Sequence, residues 1–217
     1  KDIDGALKVT GEALKFAPDD LEILLTRMEL LAAKRDTKGV AATISAIREK
    51  HPNKSVGYFH MGRYYASQKR YDDAVREFEM ALSRSGFKDS FQTLNAIVST
   101  RVAQGKPELA LNRLQEILKE KPDHLFAHEL LAEVYIVRKQ YAEAEKSLND
   151  AIKYNPTWSI PYRNLANLYL MRNNTSAAAE VYQKGLTAVP DDPQLLLYVA
   201  EMYERTRDYD KAISAYE

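Results

Sequence analysis

Five prolines, Pro18, Pro52, Pro122, Pro156 and Pro190, stand 34, 70, 34 and 34 residues apart. The gap of 70 is two units of 34 plus two residues, and Gly86 occupies the place of the missing proline. A period of this length, kept through the chain, marks one small structural unit stacked on copies of itself. No other feature constrains the fold as strongly.

With proline set at position 32 of the unit, other positions fall into line. Position 20 reads Ala6, Val40, Ala74, Ala110, Ala144, Ala178 and Ala212. Position 8 reads Met28, Gly62, Val98, Ala132, Ala166 and Ala200, and position 24 includes Ile44, Phe78, Leu114, Leu148 and Tyr182. Positions 4, 7, 8 and 11 share one face of a 3.6-residue period, as do 20, 24, 27 and 28. Short breakers such as Gln104-Gly105-Lys106-Pro107, Arg138-Lys139-Gln140 and Arg172-Asn173-Asn174 separate the two faces. Each unit therefore reads as helix, tight turn, helix. Proline ends the second helix because it has no N–H and disfavours helix just before it. Small residues at 8 and 20 let the helix backbones approach, and large ones at 4, 11 and 24 fill the space around that contact. The stretch Tyr64–Ala74, YYASQKRYDDA, looks like a base-stacking and phosphate-binding segment. Its Tyr65, Tyr71 and Ala74 nevertheless sit at recurring packing positions, with Gln68-Lys69-Arg70 as the turn.

These motifs resemble the tetratricopeptide repeat (TPR) family, whose 34-residue unit carries a W-x2-L-G-x2-Y, A-x3-F, P pattern. The matches are Tyr58-x2-Met61-Gly62-x2-Tyr65 with Ala74-x3-Phe78-x2-Ala81, and Leu131-Ala132-x2-Tyr135 with Ala144-x3-Leu148-x2-Ala151 and Pro156. The resemblance spans the whole chain. It implies an all-α, right-handed superhelical solenoid of antiparallel helix pairs. The expected layout over 1–217 is a single array: the second helix of a partial repeat (1–18), repeats 21–54, 55–88, 91–124, 125–158 and 159–192, and a partial repeat 193–217. Asp89-Ser90 reads as an insertion in an inter-helix loop. Neither end carries a polar capping repeat, so the chain is expected to be part of a longer protein, and its open ends could associate end to end. Arg27 and Arg101 depart from the pattern. The expectation for both is alkyl stems laid over apolar neighbours with the charged heads in water; a specific ion pair or ligand contact is the alternative.

Composition narrows the chemistry. The 31 Lys+Arg balance 31 Asp+Glu, for a formal net charge of +0, so no basic excess points to nucleic acid. There is no cysteine, which excludes disulfides, thiol catalysis and cysteine-bound metals. No run is apolar and long enough for membrane insertion. A phosphate-binding glycine loop, a nucleophile elbow and an HExxH motif are all missing from the sequence. His124 and His128 have the four-residue spacing of a metal-binding pair, but position 4 of the unit, where His128 falls, is a packing position. The chain is thus expected to be no enzyme and to use no cofactor or metal.

What remains is surface. The TPR resemblance implies that positions 2, 5, 6, 9, 12 and 13, on the first helix of every unit, line a concave wall that holds peptides. Unlike the packing positions, these vary from unit to unit. Phe59, Phe126, Leu130, Ile160, Leu197 and Tyr198 are large apolar residues at such positions. Arg63, Asn95, Glu133, Arg163, Asn164 and Asn167 are polar residues among them. These twelve are the expected partner-binding residues, an apolar strip with polar anchors suited to a peptide or protein ligand. The implied function is a non-catalytic protein-interaction scaffold. The style of the units resembles long bacterial arrays, some of them envelope lipoproteins serving exopolysaccharide export and protein sorting. The alternative is a targeting or regulatory arm of a larger enzyme. The compartment, periplasm or cytoplasm, is not encoded here.

Overall fold

The computed structural model describes residues 2–216, the side chains of 87–89 and 216 excepted. It contains α1 (Ile3–Phe16), α2 (Leu21–Ala33), α3 (Thr37–Lys50), α4 (Ser55–Ser67), α5 (Tyr71–Leu82), α6 (Phe87–Ala103), α7 (Pro107–Glu120), α8 (Leu125–Val137), α9 (Tyr141–Tyr154), α10 (Ser159–Met171), α11 (Thr175–Ala188), α12 (Pro193–Arg205) and α13 (Tyr209–Tyr216). Among the described residues there is no strand. The chain forms two compact units, 1–106 and 107–217, and the boundary falls in the turn of repeat 91–124.

Helix starts follow local chemistry. Asp20, Asp36, Asn174 and Asp192 each stand just before a helix, and their side-chain oxygens accept from a backbone N–H three residues on, at 3.0, 2.9, 3.1 and 2.9 Å. This satisfies donors that a helix N-terminus otherwise leaves unpaired. Pro193 follows Asp192 at the first helical position, where its missing N–H costs nothing.

Helix stops are equally regular. Position 15 of the unit is left-handed in all six turns between paired helices: Arg35, Lys69, Gly105, Lys139, Asn173 and Arg207 have φ of 61, 58, 77, 59, 57 and 62°. The next residue then donates its N–H to the carbonyl of position 11, as Arg70 does to Tyr65 and Gln140 to Tyr135, at 2.9 and 2.8 Å. This is the closing bond of a Schellman turn. A side chain makes that backbone region costly, and glycine removes the cost. Replacing the exposed Lys139 by glycine should therefore raise stability by about 1 kcal/mol, seen as an upward shift in Tm. Gly105→Ala should lower it by a similar amount. Effects of the same sign for the two changes would contradict this account.

The expected packing positions are the core. Ala74, Ala110, Ala144 and Ala178 at position 20 have no exposed surface, and Ala212 has 3%. Leu114 and Leu148 at position 24 are fully buried, with Ile44, Phe78 and Tyr182 nearly so. Tyr65, Tyr135, Tyr169 and Tyr203 at position 11 are half-buried, and the Tyr169 hydroxyl donates to Glu145 Oε1 at 2.7 Å.

Two expectations change. Asp89-Ser90 lies on the helical backbone of α6, not in a loop. With Gly86 in place of proline, nothing forces a break before residue 91, and α6 runs to 17 residues where α2, α4 and α8 have 13. The irregular arginines also make specific contacts. Arg101 forms an ion pair with Asp72 of α5 and donates to Gln104 Oε1 at 2.8 Å. Arg27 donates to the Leu7 carbonyl at 3.0 Å. Each head reaches a partner on a neighbouring helix instead of remaining in water.

Candidate functional site

A cleft opens on the first-helix face of each unit, and both clefts use the same repeat positions. In unit 1–106 a 640 Å³ cleft lies between α2 and α4 over α3. Met28, Ala32, Val40, Ile44 and Tyr64 supply its apolar surface, and Glu29, Arg35, His60 and Arg63 supply its polar groups. In unit 107–217 a 130 Å³ cleft lies between α8 and α10 over α9. Ala132, Ile136, Leu148, Leu168 and Met171 line it, with Glu129, Glu133, Asn164 and Asn167. Both combine positions 8, 9, 12 and 24 of one repeat with 6, 9, 10 and 13 of the next. The small residue at position 8 leaves the opening, position 24 closes the bottom, and the variable positions decide its charge.

The two differ in electrostatics. The first has two guanidinium groups and one carboxylate. Its His60 is held below the usual imidazole range, first by burial and then by Arg63. The second is acidic. Glu129 is only 5% exposed, and Asn164 Nδ2 donates to its Oε1 at 3.1 Å. Glu133 sits one turn further along the same face. Loss of water around the carboxyls pushes both above their ordinary range, Glu133 included although the residue as a whole stays exposed, with Glu133 adding repulsion at Glu129 and Arg163 pulling the other way on both. Arg163 makes no ion pair with either among the described residues. Its Nε donates to Asn164 Oδ1 at 3.1 Å, and its guanidinium lies 5.6 Å from the Tyr198 ring centre.

The expected site residues separate into groups. Arg63 lines the first cleft, and Glu133, Asn164 and Asn167 line the second. Ile160, Arg163 and Tyr198 meet in a shallow depression with Gln194. Asn95 and Leu197 are exposed and line neither cleft. Three positions are less open than the sequence suggests. Leu130 has no exposed surface, a correction to its expected place on an open wall. Phe59 is half-buried, its ring 5.6 Å from that of Phe78, so it covers the core. Phe126 is half-buried edge-on to Trp158 at 5.9 Å. Position numbers alone do not show how deeply neighbouring helices bury these residues. Glu129 was missed as a site residue. Its signal was the Glu129–Glu133 pair at i,i+4, like charges that a helix does not favour.

His124 and His128, the pair with metal-binding spacing, are engaged in local contacts. His124 Nδ1 accepts from the Ala127 N–H at 3.2 Å and caps α8. His128 Nε2 lies 2.8 Å from the Pro122 carbonyl, and its ring stacks on Tyr154 at 5.5 Å. Among the described residues, no group of His, Asp and Glu is arranged to hold a metal ion.

Tetratricopeptide repeat family models match residues 101–169 and 163–217, together more than half of the chain. The chain belongs to the tetratricopeptide repeat superfamily. It is 26% identical over 159 residues to mouse Tetratricopeptide repeat protein 21A, covering 72% of this chain and 11% of that protein. It is 23% identical over 203 residues to the bovine BBSome complex member BBS4, covering 92% and 38%. The chain thus spans about a tenth of the length of the first of these curated relatives. Among solved structures, the type IV pilus biogenesis factor PilW superposes with a TM-score of 0.56 at 17% identity, covering 89% of each chain. Pseudomonas aeruginosa pilF gives 0.53 at 17%, covering 99% and 90%. At these identities the likeness is one of fold, an all-α TPR solenoid. TPR arrays are protein-interaction scaffolds and are generally non-catalytic. Among the described residues, no helix is long and apolar enough to cross a membrane.

Proposed function

We propose that the first-helix faces of this TPR array hold an extended or helical peptide segment of a partner protein. The observation that carries this reading is the recurrence of a cleft at the same repeat positions in each unit, with an apolar base and unlike polar rims. A shared backbone frame with changing side chains is how one scaffold selects one ligand sequence. The rims differ in charge, so each cleft selects its own side-chain chemistry.

The test fills the clefts without touching the core. Ala32 and Asn167 are exposed and line the first and second cleft. Random dodecapeptides displayed on phage would be selected on the wild-type chain, and the winners measured by fluorescence anisotropy. Ala32→Trp with Asn167→Trp should weaken them at least about tenfold, roughly 1.4 kcal/mol, with circular dichroism unchanged. Undiminished binding to the blocked variant would refute the reading.

A further inference from the structure

We propose that the cleft between α8 and α10 receives a basic side chain, lysine or arginine, of the bound partner segment. The inference rests on the peptide-binding reading above and assigns this subsite its chemistry.

The cleft holds a buried carboxylate that forms no ion pair among the described residues. Glu129 is 5% exposed, and among the described residues its side chain accepts one hydrogen bond, from the neutral amide of Asn164 to Oε1. Oε2 accepts no hydrogen bond among the described residues and keeps some solvent exposure, and Glu129 lines the cleft. A buried carboxylate is costly unless paired and hydrogen-bonded, and an uncompensated one is a strongly destabilising feature. Glu133, four residues on, adds a like charge to the same opening. Arg163 is near enough for its charge to act on both carboxyls, yet it forms an ion pair with neither among the described residues. Its Nε donates to Asn164 Oδ1, its guanidinium lies 5.6 Å from the Tyr198 ring centre, and the Asn164 amide links it to Glu129.

The shape agrees with the charge. At 130 Å³ the cleft has room for one side chain. Ile136, Leu168 and Met171 would pack along an aliphatic stem, the part of lysine or arginine that prefers apolar contact. The cationic head would then reach Glu129 and Glu133, with the exposed Asn167 at the rim as a further acceptor. A neutral side chain would fill the space and leave both carboxylates unpaired. An acidic one would add a third negative charge. The cleft of unit 1–106, built on the same positions, has arginines at its rim and no such carboxylate pair, so this preference belongs to one subsite.

The experiment compares dodecapeptide selections on the wild-type chain, on Glu129→Gln with Glu133→Gln, and on the single variant Glu133→Gln. Glu133 is exposed, so its variant stays folded if the double one does not. The expected result is a fixed position enriched in lysine or arginine on wild type. Replacing that residue by norleucine should weaken the peptide about tenfold on wild type and leave affinity for the double variant nearly unchanged, the mark of a direct coupling. Glu133→Gln should show an intermediate effect. Peptides that bind wild type without a basic position, or whose basic residue matters equally on all three chains, would overturn the inference and leave the peptide-binding reading standing. Failure of every chain to select any peptide would overturn both.

Discussion

Phe78→Ala is expected to cost about 3–5 kcal/mol, a loss readable as a large drop in Tm or in denaturant midpoint. Phe78 is 2% exposed and carries the largest side chain of its cluster, with Ala74, Val75 and Ile97 around it. Its ring also decides what can stand opposite. A Cβ added to Gly62 would lie 2.6 Å from two of its ring carbons and 3.0 Å from a third. The Phe59 ring also packs on it, 5.6 Å away, and restricts its movement. Gly62→Ala should therefore destabilise by about 1–3 kcal/mol despite removing a glycine from a helix, where alanine ordinarily gains about 1 kcal/mol. The pair predicts its own rescue. Repeat 125–158 has Ala132 at position 8 and Leu148 at position 24, both buried. Phe78→Leu should accordingly soften the penalty of Gly62→Ala, so that the double variant is more stable than the sum of the singles implies. Strict additivity would mean that the two side chains do not contest the same space.

Glu129→Gln should raise stability at neutral pH. Glutamine keeps the shape and can still accept from Asn164, but it carries no charge into the apolar cleft and does not repel Glu133. The sign of the pH dependence follows. Both carboxyls have folded-state values raised above their unfolded ones, first by burial. Between the ordinary and the raised value, the folded chain holds protons that the unfolded chain has lost. The wild type is therefore favoured below the ordinary carboxylate range and loses that advantage as pH rises through the raised values. The stabilising effect of Glu129→Gln should be present at pH 7, shrink as pH falls through the raised values, and vanish below about pH 4. A gain of roughly 2–4 °C in Tm would correspond to about 1 kcal/mol for a chain of this size. A loss of stability at pH 7 would show that the carboxylate holds the fold through Asn164.

Much of this was legible in the chain. The proline period, the small residues at positions 8 and 20 and the breakers near position 15 determined helix number, order and pairing. Each of these acts locally or through a repeated neighbour contact, and a solenoid needs little else. The irregular places were less legible. The sequence put an insertion in a loop at Asp89-Ser90, where the helix simply begins earlier. It assigned the Arg101 head to water, although Asp72 stands 29 residues back and one helix away.

The candidate site shows the same division. Sequence position indicates which face of a helix a residue occupies, and so brought Arg63, Glu133, Asn164 and Asn167 into view. It does not indicate how deep that residue lies once the next repeat docks. Leu130 and Phe59 went inward, and Glu129 was largely enclosed at the edge of a cleft. Depth depends on side chains more than thirty residues away, such as Asn164 beside Glu129, packed across a repeat interface. The period by itself determined a stack of helix pairs. Only the packed structure decided where that stack leaves a space, and which charges line it.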